Sequence, residues 1–149
     1  MAKQQTRSRR KAKTAWELCE RVCEQITAEP RTYDQRMWRL SANDWQIAKR
    51  PPRLRPKCGT AFCRAGWIVA LRDGAKKVDN NSCQVRANAI LNLPRDATDQ
   101  LFSGVAERLE RWTVRTPGSI GAAKAGVRGL RAFMKKHAAH LKARSLKGV

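Results

Sequence analysis

The sequence is short of negative charge. Its twelve Asp and Glu residues all lie between Glu17 and Glu110, against thirty-two Lys and Arg, and the formal net charge is +20. Such a chain resists its own compaction unless an anion neutralises it. The first 13 residues carry Lys3, Arg7, Arg9, Arg10, Lys11 and Lys13 with no acid, so carboxylate chemistry is excluded from both ends. A run of eighteen apolar residues is also missing, which excludes a hydrophobic membrane-spanning helix. No apolar stretch follows the charged N-terminus as a secretory signal would require, and the composition predicts a cytosolic chain without a membrane partner.

The five cysteines are odd in number and lack the C-x2-C spacing of a zinc site: Cys19 and Cys23 stand one helical turn apart, Cys58 and Cys63 five residues apart. Neither a disulfide framework nor a metal centre is expected. Cys19 and Cys23 read as small hydrophobes on an apolar stripe, whereas the helix start expected after Thr60 would lower the pKa of a thiol beside it. His137 and His140, set among lysines, suit phosphate contact or solvent better than metal ligation. No Walker loop, dinucleotide fingerprint or nucleophile paired with a base is present, and Asp96 and Asp99 read as helix caps. A nuclease would have only the dispersed Asp34, Asp44, Asp73 and Asp79 to hold a divalent ion. The sequence reads as non-catalytic and free of cofactors.

The apolar residues recur with helical spacing, predicting a mainly α fold: a small single-core domain of about five to six helices with a flexible basic arm over residues 1–13 and a long basic C-terminal helix. Thr14 and Glu17 form a capping box before a helix whose Ala15, Leu18, Cys19, Val22, Cys23 and Ile26 share one face and which Pro30 ends. Residues 31–48 have no clean period and are expected to plug the core as an irregular helix or turn. Thr60 is the expected N-cap of the most buried helix, 61–72, with Phe62, Cys63, Trp67, Ala70 and Leu71 as apolar bulk and Gly74 as its stop. Ser82 is expected to cap a helix to about Asn92, turning Val85, Ala89, Ile90 and Leu93 inward. Two short helices are expected between Asp96 and Trp112. A core helix over 118–143 follows, its inner stripe Ile120, Val127, Leu130, Met134 and Leu141, with a basic tail over 144–149.

Basic residues gather in three places. The arm supplies Arg7, Arg9, Arg10, Lys11 and Lys13. The segment KRPPRLRPK supplies Lys49, Arg50, Arg53, Arg55 and Lys57 on a loop stiffened by three prolines. In the last helix Lys124, Arg128, Arg131, Lys135 and Lys142, spaced four, three, four and seven apart, form a stripe expected beside the apolar one, with Lys136 and Arg144 near its end. Gly121, Gly126 and Gly129 each weaken that helix by about 1 kcal/mol relative to Ala, so packing or a ligand must help hold it. A helix of regularly spaced Lys and Arg can follow phosphates, and Arg binds them bidentately. Trp16, Tyr33, Trp38, Trp45 and Trp112 stand near basic residues, as base platforms or as packing. No helix-turn-helix, zinc-finger or RNA-recognition pattern appears, which favours contact with the backbone of DNA or RNA over sequence reading.

The run Cys58-Gly59-Thr60-Ala61-Phe62-Cys63-Arg64-Ala65-Gly66-Trp67 resembles the CGTxxCxAGW signature of a loosely defined group of small bacterial and phage proteins without assigned activity. Tyr33 to Trp38 upstream, and Ala89 to Leu93 with Gln100-Leu101-Phe102 downstream, extend the likeness over about residues 30–105. The resemblance implies a shared core in which Thr60 caps and Trp67 fills volume, and the basic segments lie outside its pattern. If the phage association holds, two roles suit a small basic protein. It would handle nucleic acid directly, or it would inhibit a host nucleic-acid-guided nuclease, anti-CRISPR fashion, by binding the effector, its guide or its target. A small nuclease and a zinc-stabilised module rank below both.

Overall fold

Residues 11–34, 39–41, 43–57, 60–79, 82–94, 97 and 118–147 are described by the computed structural model. The expectations for residues 1–10, Trp38 and Cys58, and for the helices between Asp96 and Trp112 apart from Ala97, lie outside them. The fold is mainly helical, with six α-helices among the described residues. Helix α1 spans Ala15–Ala28, and its six expected inward residues are all buried. Thr14 Oγ1 accepts from the Glu17 amide at 3.2 Å, half of a capping box. The other half differs: Glu17 Oε2 accepts from the Lys13 amide at 2.7 Å, one residue before the cap. That carboxyl lies below its usual range, chiefly through the Lys13 hydrogen bond.

The chain then turns through a 3-10 segment, Pro30–Thr32, into strand β1, Arg39–Leu40, which pairs antiparallel with β2, Ala61–Phe62, in the register Arg39 opposite Phe62. Between them lie the short helix α2, Trp45–Ala48, and a 3-10 turn, Pro52–Leu54, inside the proline-rich loop. Helix α3 spans Arg64–Asp73 and stops at Gly74, whose φ of +99° suits glycine. Its start corrects the expectation for Thr60, which precedes β2. Cys63 is the N-cap instead, its Sγ accepting from the Gly66 amide at 3.2 Å.

Helix α4, Cys83–Leu91, has Ser82 at its N-cap as expected, but the Ser82 side chain makes no cap bond; Asp79 holds Ser82 instead, its carboxylate accepting from the Ser82 amide at 2.7 Å and hydroxyl at 2.6 Å. The helix buries Cys83, Ala87, Ile90 and Leu91, so Val85 (70% exposed) and Ala89 face out, against expectation. The long C-terminal helix is divided at His137 into α5, Ile120–Lys136, and α6, Ala138–Ala143. Ile120, expected inside, is 65% exposed, whereas Leu130, Met134 and Leu141 are buried. The expected tail belongs to the core edge: Leu146 is buried and donates its amide to the Lys13 carbonyl at 2.8 Å. The arm's last residues are fixed by the same contact, with Ala12 also buried.

One core joins these elements: α1 packs along α5 and against α3 and α6, and α3 packs on α4. Two of the helix-weakening glycines of α5 are explained here. A Cβ at Gly126 would lie 2.5 Å from Tyr33 Cζ, and one at Gly129 would run into the Arg64 guanidinium. Gly126→Ala should therefore lose about 1–3 kcal/mol in urea unfolding, despite the roughly 1 kcal/mol that alanine gains as a helix former. Unchanged stability would contradict the close approach of Tyr33.

Candidate nucleic-acid interface

At about 100° per residue, Lys124, Arg128, Arg131 and Lys135 fall within about 60° of arc on α5 and cover about 16 Å of its length. All four are exposed. The buried Ala123, Gly126, Leu130, Phe133 and Met134 occupy the other side. The cations therefore project nearly opposite the packing face, where the expectation put them beside it. Among the described residues no ion pair engages Lys124, Arg131 or Lys135. Ser119 Oγ caps the helix by accepting from the Ala122 amide at 3.2 Å, and Lys135, Lys136 and the following Lys142 lie toward its C-terminal end, where positive charge is favoured.

The loop 49–57 adjoins the start of this helix. Gly118, with φ +85°, sits so close to the loop that a Cβ there would lie 2.6 Å from the Leu54 carbonyl oxygen and 2.7 Å from Arg50 Nη1. Lys49, Arg53, Arg55 and Lys57 are exposed as expected. Arg50 is not, and it leaves the set of phosphate-contacting candidates. It is 4% exposed, its Nη2 donates to Asp34 Oδ2 at 2.8 Å and its Nη1 to the carbonyls of Arg31 (2.8 Å) and Leu54 (3.0 Å). Arg55 folds back to donate to the Arg50 carbonyl at 3.0 Å and the Ala48 carbonyl at 2.8 Å while remaining exposed.

A third group lies beyond α5. Lys11, Lys13, Lys142 and Lys147, the last missed by periodicity because it follows the helix, are exposed around the paired segments 13–15 and 144–146. Lys142 Nζ stands 4.6 Å from the Trp16 ring centre. Arg144 instead serves the fold, donating to the Ile90 carbonyl at 3.2 Å and the Ala89 carbonyl at 3.1 Å and so closing the end of α4, with His140 Nε2 2.9 Å from the Leu91 carbonyl. His137 lies against Phe133 with ring centres 4.8 Å apart and planes tilted by 50°, and burial, then Lys136, push its pKa down. Both histidines, expected at phosphate or in solvent, are only partly exposed.

The aromatic candidates divide. Tyr33 is core, Trp16 is half-buried, and Trp45 is 62% exposed with Lys49 Nζ 4.7 Å from its ring centre. Trp67 fills the core edge, its Nε1 donating to the Thr32 carbonyl at 3.2 Å.

Among the described residues no group of His, Cys, Asp or Glu could hold a metal ion. Cys19, Cys23, Cys63 and Cys83 are free, buried thiols. Although Cys63 sits at a helix start, burial outweighs the amide hydrogen bond and raises its pKa to about 12, reversing the expected lowering. Burial likewise raises Cys19 to about 12. The chain matches no family model, no curated protein and no solved structure.

Two predictions separate structure from surface. Because these thiols must stay neutral in the fold, the stability they contribute is complete below the ordinary thiol pKa of 9.0 and falls as pH rises from there toward about 12. Urea unfolding should show the loss setting in above about pH 9, and Cys63→Ala should reduce the slope there. Arg50→Ala, which removes a buried guanidinium from Asp34 and from the Arg31 and Leu54 carbonyls, should cost about 3–5 kcal/mol. Arg53→Ala should stay within about 0.5 kcal/mol of the parent.

Proposed function

We propose that the chain is a non-catalytic nucleic-acid-binding protein that grips the phosphate backbone through the α5 stripe, with the 49–57 loop and the cluster around Lys142 extending the contact. The observation that carries this reading is the set Lys124, Arg128, Arg131 and Lys135: exposed, aligned, and turned away from the packing face of α5. A solvated face has no need of charges all of one sign, and like charges one turn apart weaken the helix by about 0.2–0.5 kcal/mol per pair. A polyanion would reverse the sign of that term. Helix α5 contains no Asn or Gln for bidentate reading of adenine, and the regular spacing of its Lys and Arg suits the repeating phosphates. The binding partner is DNA or RNA, and the reading needs neither a cofactor nor a reaction.

Binding to a labelled duplex should weaken steeply with salt. If the four stripe cations each neutralise one phosphate, they alone contribute a slope of about −3.6 to log K against log salt. Each further contact from the loop or the Lys142 cluster steepens it. Lys124→Gln with Arg131→Gln should flatten the slope by about 2 and leave thermal stability nearly unchanged. A wild-type affinity that barely moves between about 50 and 200 mM salt would refute the proposal.

A further inference from the structure

We infer that Trp45 and the cations around it form a stacking site for an unpaired base, so that the protein takes single-stranded nucleic acid at the loop end of α5. This rests on the nucleic-acid reading above and narrows it to a substrate class.

Trp45 is the first residue of α2 and is 62% exposed, while Ile47, two residues on, is 2% exposed. The short helix is thus pinned by Ile47 and presents its indole outward. Its entry is fixed by Asp44, whose Oδ2 accepts from the Ser41 amide at 2.5 Å and the Ser41 hydroxyl at 3.1 Å. Its exit is fixed by Arg55 on the Ala48 carbonyl and by buried Arg50, held on Asp34. An indole on so braced a support loses little freedom when a ligand covers it. Exposed apolar area of this size contributes nothing to the core and is available to a partner.

The surroundings select the partner's chemistry. Lys49 Nζ lies 4.7 Å from the ring centre, and Arg53, Arg55 and Lys57 are exposed along the adjoining turn. An exposed indole with the Lys49 ammonium over one face and further cations nearby matches a nucleotide, with the base on the indole face that Lys49 leaves open and its flanking phosphates on the ammonium and guanidinium groups. Bases in a duplex already stack on each other, and freeing one costs a few kcal/mol, so the site discriminates in favour of single strands.

The test uses the full chain, a labelled oligothymidylate of about 20 nucleotides and a duplex of the same length, both at low salt. Trp45→Leu keeps apolar bulk but removes the π face, and should weaken single-strand binding by about 5- to 150-fold with duplex affinity unchanged. Trp45→Phe should retain most of the affinity, and both variants should melt at the parent temperature. Wild-type single-strand affinity in Trp45→Leu overturns the inference, as does an equal loss on both ligands. If Trp45→Leu has no effect while Lys124→Gln/Arg131→Gln loses binding, the stacking site falls and the backbone reading stands. A wild-type chain that binds neither oligonucleotide overturns both.

Discussion

Helix α5 can lie on the core only because Gly126 and Gly129 leave room for the Tyr33 ring and the Arg64 guanidinium. Tyr33 is 3% and Arg64 2% exposed, and the Nη1 of Arg64 stands 3.5 Å from the Gly126 carbonyl. A larger residue at Gly126 would meet the rigid Tyr33 ring, and one at Gly129 would have to displace the end of the Arg64 side chain. The approach also fixes rotation about the helix axis: with 126, 130, 133 and 134 turned inward, positions 124, 128, 131 and 135 have nowhere to go but outward. Packing on one side of α5 and cation display on the other are consequences of a single placement. The helix gives up intrinsic propensity at its glycines and recovers stability through burial, which is how most helices in small domains are held.

Low acid content shapes the rest of the fold. A buried guanidinium needs partners for its donors, and this chain has few carboxylates to offer. Arg50 takes one of them, Asp34, and adds two backbone carbonyls; Arg72 reaches the Leu146 carbonyl at 2.6 Å; Arg144 closes α4 on two carbonyls. Carbonyl partners satisfy the hydrogen bonds of an arginine without cancelling its charge. Arginine suits this role because its planar fork can serve several oxygens at once, and the Arg31, Leu146, Ala89 and Ile90 contacts tie segments distant in sequence.

Local chemistry made part of this legible and distance hid the rest. The Thr14 cap, the Gly74 stop and the inward face of α1 follow from neighbours within four residues, and each appears where the pattern puts it. The α5 cations were legible for the same reason, as their spacing is a property of one helix. Arg50 was not: within KRPPRLRPK it looks like its neighbours, and only Asp34, sixteen residues earlier, marks it as buried. Val85 misled because α4 is too short and too evenly apolar for its inner face to be read from period alone. Cys63 misled in the other direction, since a helix start was expected close to it but its burial, which governs the thiol, depends on packing. The candidate surface could thus be assembled from sequence residue by residue, whereas which of its cations already serve the fold required tertiary contacts.

Those two classes of cation bear on what the molecule needs from outside. Arginines satisfied by carbonyls keep their charge, and the exposed stripe, loop and terminal lysines add to it, so folding leaves the net +20 largely uncompensated from within. Self-repulsion among these groups works against the compact state and is screened only by salt or by a bound anion. A polyanion that binds the folded surface and not the unfolded chain would therefore act on the fold as well as on function, raising stability by mass action. Simple salt and a nucleic acid would separate in this respect: both screen repulsion, but salt also weakens the phosphate grip. On the proposed reading, the same uncompensated charge that strains the free protein is the source of its affinity.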